Sequence, residues 1–201
     1  IASTEYHSVL LDSNGVVYCC GKANDGRFGK ELYDRMAIEE WEFLEAFAGA
    51  VDLGFKYLET DTHCTRDGML MAFHDEQLER LTNQRGKISE LDYDLVRRAK
   101  VKGLEVIPRL DDLIQSFPQT RFNIDLKADS AVKPFIALVK KLKCVDRICV
   151  GAFSDRRIKA VKEALPTVCT SLGPINVCLA KLASHGVPFL NIEGHCAQVP
   201  E

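Results

Sequence analysis

Apolar positions recur at helical spacing over residues 39–53, where Phe43, Phe47, Ala50 and Val51 form one stripe that Leu44 and Ala48 widen. Gly54 stands where such a helix would stop. The period then changes. Over 55–64, Tyr57, Glu59, Asp61 and His63 alternate with Leu58, Thr60 and Thr62, which predicts a strand with one polar and one less polar face. Arg66-Asp67-Gly68 marks a turn, and 69–73 predicts a strand returning from it. Residues 76–102 are polar with short helices. Val106-Ile107-Pro108 and a helix over 111–117 follow.

From there the pattern is regular. It predicts strands at 121–127, 147–153, 167–172 and 189–192, separated by helices at 132–142, 155–165 and 175–185. Val132, Phe135, Ile136 and Val139 make the apolar face of the first of these helices, Ser154 caps the second and Gly186 ends the third. Such alternation predicts parallel β/α units in a single domain over 39–201, since no Pro/Gly/Ser-rich linker divides it. Residues 1–38 read differently. His7 to Leu11 and Val16 to Cys20 flank Asp12-Ser13-Asn14-Gly15, an antiparallel hairpin signal that makes a separate amino-terminal segment.

Composition narrows the class without deciding it. With 46% hydrophobic and 27% charged residues among 201, the chain has enough apolar content for one core. No apolar run approaches the roughly 20 residues of a membrane span. A net charge of −3, and basic runs at 141–143 and 156–159 without interleaved aromatics, argue against a nucleic-acid partner. The eight cysteines lack CxxC pairs and lie mostly in apolar runs, so they read as reduced, packed thiols in an intracellular, cytoplasmic protein.

Candidate chemistry sits on the strands. Glu59 and Asp61 share one face of a strand near its carboxyl end, where α/β folds bind ligands, and two such carboxylates call for a cation between them unless they form a solvated acidic edge. Asn123-Ile124-Asp125-Leu126-Lys127 repeats the geometry with Asn123, Asp125 and Lys127 on one face. Asp125 can complete an oxygen-rich cage for Mg²⁺ or Ca²⁺, with Lys127 and Asn123 facing an anionic substrate group; alternatively Asp125 and Lys127 pair with each other. His74-Asp75 ends a strand and supplies a group for proton transfer near neutral pH. His63, His185 and His195 read as surface or capping residues.

In this order the motifs resemble the glycerophosphodiester phosphodiesterase family over residues 41–200. Leu44-Glu45-Ala46-Phe47 is similar to the end of the family's ENTxxAF helix, Glu59-Thr60-Asp61 to its ExD, Thr65-Arg66-Asp67-Gly68 to its TxDG and His74-Asp75 to its HD. Leu78, Arg80 and Thr82 with Gly86, then Ile107-Pro108-Arg109-Leu110, then Asn123 to Lys127 follow the family's LxRxT, iPxL and NxExK segments, with Asp125 in place of the usual Glu. The resemblance implies a (β/α)₈ barrel and a divalent metal on Glu59, Asp61 and Asp125. It further implies that Lys127 offsets phosphoryl charge while His74 moves protons. The implied reaction is hydrolysis of a glycerophosphodiester to glycerol 3-phosphate and an alcohol, by attack of a glycerol hydroxyl and opening of the cyclic phosphate by water.

Two departures accompany it. The family's opening His-Arg-Gly strand has no such triplet here, and the similar context Tyr18-Cys19-Cys20-Gly21 puts Cys19 and Cys20 at those positions. Its last strands have no counterpart after Asn191-Ile192-Glu193, so the expected barrel is incomplete at both ends, with edges for a second copy or another segment to cover. These departures support an alternative, an inactive or truncated member that binds without turnover. Residues 7–21, continuing through Asn24, Gly26 and Gly29, resemble one repeat of the regulator-of-chromosome-condensation propeller, whose blades need neighbours to bury their faces.

Overall fold

The computed structural model describes residues 2–4, 7–11, 17–21 and 43–197 except 102 and 104, with side chains from Phe47 onward. The predicted hairpin is there in its backbone: β1 (Ala2–Thr4), β2 (His7–Leu11) and β3 (Val17–Gly21) form a three-stranded antiparallel sheet in which His7 pairs with Gly21 and Leu11 with Val17. Its turn at 12–16, the glycines of 22–29 and the first residues of the predicted 39–53 helix lie outside the described residues. Among the described residues β3, which carries Cys19 and Cys20, is hydrogen-bonded to β2 and lies near β4.

Helix α1 (Phe43–Asp52) ends where Gly54 adopts φ +89°, and its Phe47, Ala50 and Val51 pack onto the core as the stripe predicted. The main sheet follows. Strand β4 (Tyr57–Cys64) turns through Gly68, also at positive φ, into β5 (Leu70–Ala72), which pairs with it antiparallel. A polar excursion then carries a short helix α2 (Tyr93–Val96) and a two-by-two hairpin, β6 (Lys100–Val101) with β7 (Glu105–Val106), that no sequence period announced. Helix α3 (Leu110–Ser116) leads to β8 (Arg121–Leu126), α4 (Asp129–Leu142), β9 (Ile148–Gly151), α5 (Asp155–Ala164), β10 (Cys169–Thr170) and α6 (Pro174–Ser184).

The sheet order is β10-β9-β8-β4-β5, and β4, β8, β9 and β10 run parallel. On its outer face Leu58, Phe122, Ile124, Leu126, Ile148 and Val150 meet Phe135 and Val139 of α4, all at most 3% exposed. Burial of this kind contributes about 1.5–3 kcal/mol per large side chain, which fixes the register of every strand that carries one. Ser154 caps α5 by accepting the Arg157 N–H, and α4 ends with Lys143 in the left-handed region. The opposite face is left to Glu59, Asp61, Asn123, Asp125, Cys149 and Cys169.

Three expectations need correcting. The strand predicted at 189–192 is absent: Phe189 stands at φ +62°, which breaks an extended run, and the chain rejoins the sheet later through a parallel bridge between Ser171 and Cys196. His63 is not a surface residue but 5% exposed, because it lies on the inward face of β4. The cysteines are not uniformly core hydrophobes: Cys64 and Cys144 are buried, whereas Cys178 is exposed on α6.

Candidate active site

Strand register builds the site. In the parallel pairing of β4 with β8, Glu59 sits opposite Asn123 and Asp61 opposite Asp125, so four oxygen-bearing side chains form two rows on one face near the carboxyl ends. Lys127 directly follows β8 and donates from Nζ to Asp61 Oδ1 at 2.8 Å and to Asp125 Oδ2 at 2.8 Å. Asp125 and Lys127 thus pair with each other, and Asp61 joins them.

One ammonium does not balance three carboxylates. Burial, then the Asp61 and Asp125 charges, push the Glu59 carboxyl up to about 8 from its ordinary 4.5, with Lys127 opposing only in part. Lys127 responds in the other direction: burial alone would lower it, yet Asp125 and Asp61 hold its ammonium above the usual lysine range. Asn123 Oδ1 and Asp125 Oδ1 are buried without a hydrogen-bond partner. Orphaned hard oxygens beside an under-neutralised acid cluster are the donor type that a divalent cation takes.

His74 reaches this neighbourhood from β5. Phe73 N–H donates to Asp61 O at 3.0 Å, which ties the end of β5 to the acidic strand. The His74 ring is two-thirds exposed, and its Nδ1 lies 2.8 Å from Asp75 Oδ1. Because a carboxylate only accepts, Nδ1 carries the hydrogen and Nε2 is left as the proton acceptor. Arg80 grips the same carboxylate, Nε to Oδ2 at 2.5 Å and Nη2 to Oδ1 at 2.6 Å, and this clamp lowers Asp75 to about 2. From behind, His63 Nε2 donates to the His74 carbonyl at 3.1 Å, so the buried histidine positions the exposed one. Burial lowers the His63 pKa, and the bond to the His74 carbonyl opposes it.

The remaining predicted histidines are as read: His185 is exposed at the end of α6 with Nδ1 2.8 Å from Lys181 O, and His195 Nδ1 accepts the Thr170 N–H at 3.1 Å. The Thr65-Arg66-Asp67-Gly68 turn is structural. Thr65 donates to Asp67 at 2.6 Å and Asp67 accepts the Tyr93 N–H at 2.9 Å, holding the polar excursion against the β4–β5 turn. What the sequence did not disclose is the bridging of two strands by Lys127 and the Asp75–Arg80 clamp, both of which depend on spatial neighbours. A cleft of about 500 Å³ between α5 and α6, lined by Ile158, Pro166 and Ile175, contains none of the carboxylates Glu59, Asp61 and Asp125.

A mostly parallel α/β sheet thus carries an acidic, lysine-bridged cluster toward its carboxyl ends. The sequence profile of the glycerophosphoryl diester phosphodiesterase family matches residues 43–173, and that of the regulator of chromosome condensation repeat matches residues 1–27. The chain belongs to the glycerophosphoryl diester phosphodiesterase family, and its fold is the TIM-barrel type, incomplete among the described residues. It is 37% identical over 129 residues to probable glycerophosphodiester phosphodiesterase 2 of Mycobacterium tuberculosis, covering 64% of this chain and 49% of that protein. It is 32% identical over 194 residues to lysophospholipase D GDPD1 of Mus musculus, covering 87% of this chain and 59% of the relative. The crystal structure of glycerophosphodiester phosphodiesterase from Agrobacterium tumefaciens superposes with a TM-score of 0.59 at 25% identity, over 66% of this chain and 60% of the other. The chain therefore spans between about half and three fifths of these relatives' lengths. No helix among the described residues is long and apolar enough to cross a membrane.

Proposed function

We propose that this protein is a divalent-metal-dependent phosphodiesterase that releases glycerol 3-phosphate from glycerophosphodiesters, with residues 39–201 as the catalytic unit and 1–38 as a separate hairpin segment. The observation that carries the reading is the cluster itself: Asp61 and Asp125 in register on adjacent parallel strands and bridged by Lys127, Glu59 on the same face one row away, and Asp125 Oδ1 without a partner. Glu59, Asp61 and Asp125 would hold Mg²⁺ or Ca²⁺. The ion would supply electrophilic charge to the phosphoryl oxygens.

The chain's own groups do the rest. Lys127, already charged and aimed at the same space, binds a phosphoryl oxygen and is held in place by the two aspartates. Asn123 offers its amide N–H₂ to the substrate from the row beneath. His74 takes a proton at Nε2 from the attacking glycerol hydroxyl, and the Asp75 carboxylate keeps the ring in that tautomer and stabilises the imidazolium that results.

A second reading, a family member that binds without turnover, draws on Cys19 and Cys20, which occupy the family's His-Arg context within the separate sheet of β3. Cysteine has no guanidinium with which to grip phosphate. Release of glycerol 3-phosphate from glycerophosphocholine decides between them. It is measured with Mg²⁺ or Ca²⁺ against a chelator control, using wild type, Glu59→Ala and His74→Ala, with lysophosphatidylcholine, read by choline release, as a parallel substrate. Metal-dependent turnover, lost in Glu59→Ala and reduced about 10²–10⁴-fold in His74→Ala, is expected. Folded wild type without turnover would establish the second reading, and turnover surviving Glu59→Ala would refute the assigned metal site.

A further inference from the structure

A different donor set lies on the same inward face. The register that pairs Glu59 with Asn123 continues across the sheet, Asn123 with Cys149 on β9 and Cys149 with Cys169 on β10. A third thiol arrives from the carboxyl-terminal segment. Leu172 N–H donates to Cys196 O at 2.7 Å and His195 N–H donates to Thr170 O at 2.8 Å, seating Cys196 alongside β10. The His195 ring adds a third tie by accepting the Thr170 N–H. As a result the Cys149, Cys169 and Cys196 sulfurs all lie within 4.8 Å of one another, with Cys149 Sγ and Cys196 Sγ 3.5 Å apart.

Three sulfurs so spaced are close to a ligand set. Bonds of about 2.3 Å from one ion to each sulfur put the sulfurs roughly 3.8–4 Å apart, for tetrahedral or trigonal arrangements alike. All three thiols are half-buried, and none of the three is in a disulfide. Soft sulfur donors discriminate against the hard ions suited to the neighbouring carboxylates.

We propose that Cys149, Cys169 and Cys196 form a second metal site, a three-thiolate centre for a soft closed-shell ion of the Zn²⁺ or Cu⁺ class, which fastens the carboxyl-terminal segment to the sheet. On binding, each thiol gives its proton to solvent and each sulfur forms one bond to the ion, with no change in oxidation state. The ion joins two strands to a segment that otherwise holds by hydrogen bonds to Thr170 and Leu172 and by the contacts of Glu193 with Lys162 and Asn176. It closes the β10 edge of the sheet in the row that holds Glu59 and Asn123, one row below Asp61 and Asp125.

The test uses the full-length protein, reduced and freed of metal by chelation. It is titrated with Co²⁺ as the reporter for Zn²⁺, and separately with Cu⁺ delivered from a weak complex, both in excess Mg²⁺ to occupy oxygen donors. Thiolate-to-cobalt charge-transfer absorption that saturates at one equivalent and is bleached by Zn²⁺ is expected for a Zn²⁺ site. Uptake of one Cu⁺ with protection of three thiols from alkylation is expected for a Cu⁺ site. Either signal persists in Cys178→Ser and disappears in Cys149→Ser and in Cys196→Ser. Limited proteolysis supplies a second readout: cleavage through unfolding of 187–197 slows about 100-fold at an ion concentration 100 times Kd.

Wild type that shows neither signal overturns the proposal, whether or not the variants fold. So does a signal that survives Cys149→Ser. Formation of a Cys149–Cys196 disulfide in air, with neither ion bound after reduction, would replace the metal site with a redox pair. Charge transfer from sulfur is blind to the carboxylate site, so this result stands or falls independently of phosphodiester turnover.

Discussion

Glu59 offers the sharpest quantitative test of the carboxylate site. With its carboxyl at about 8, roughly nine in ten molecules carry a proton there at pH 7 when no metal is bound. A divalent ion needs the carboxylate, so its binding must expel that proton. Calorimetric titration with Mg²⁺ or Ca²⁺ in buffers of differing protonation enthalpy should return about 0.9 proton released per ion at pH 7 and about 0.1 at pH 9. Affinity should weaken about tenfold for each pH unit below 8, reaching roughly 100-fold between pH 9 and pH 6. Glu59→Gln should remove the release from this site. The same shift governs metal-free stability, and its sign is fixed by linkage: the acid is raised on folding from 4.5 to about 8, so its stabilisation is full below pH 4.5 and is lost as pH rises through 8. At 1.36 kcal/mol per pH unit this loss is on the order of 4–5 kcal/mol, read by urea unfolding in chelator, and Glu59→Gln should flatten it. Proton release near zero at pH 7, or a Kd independent of pH between 6 and 9, would refute the assignment of Glu59 to an under-neutralised cluster.

Three further outcomes follow from named contacts. Asp75→Asn keeps an acceptor for His74 Nδ1 but removes the charge that Arg80 grips, so kcat should fall about 10–100-fold with KM little changed. Asp75, lowered from 3.8 to about 2, adds stability that is complete above pH 3.8 and lost as pH falls through 2; acid unfolding of Asp75→Asn should lack that limb. Gly194→Ala places a Cβ 2.5 Å from Leu172 Cδ2 and 3.2 Å from Leu172 N at φ +149°. Strain of about 1–3 kcal/mol should detach Cys196 from β10, read as faster hydrogen exchange at Leu172 and weaker uptake of soft metal.

Period and parity made most of the architecture legible. Strands over 57–64 and 121–126 could be read because one face had to be apolar, and that requirement also aligned Glu59 with Asp61 and Asn123 with Asp125. The helices could be read because apolar stripes ended at Gly54 and Gly186 and began at Ser154. Short pairings escaped: β6 and β7 hold two residues each, too few for a period. At 189–192 apolar content alone imitated a strand, while the backbone at Phe189 turned away.

Pairing between strands is the deeper gap, and it explains why the thiols were read as packing. Ile148 and Val150 point outward to the helices, so alternation alone puts Cys149 on the other face, the one that holds Asn123. That much was in the sequence. What it lacked was the register joining Cys149 to Cys169, and the return of Cys196 from beyond a helix, since neither leaves a local trace. The same gap hid the role of Lys127, whose partner Asp61 belongs to a strand some sixty residues earlier. One face of one sheet therefore carries hard oxygen donors on β4 and β8 and soft sulfur donors on β9 and β10, and the strand order alone separates the two chemistries.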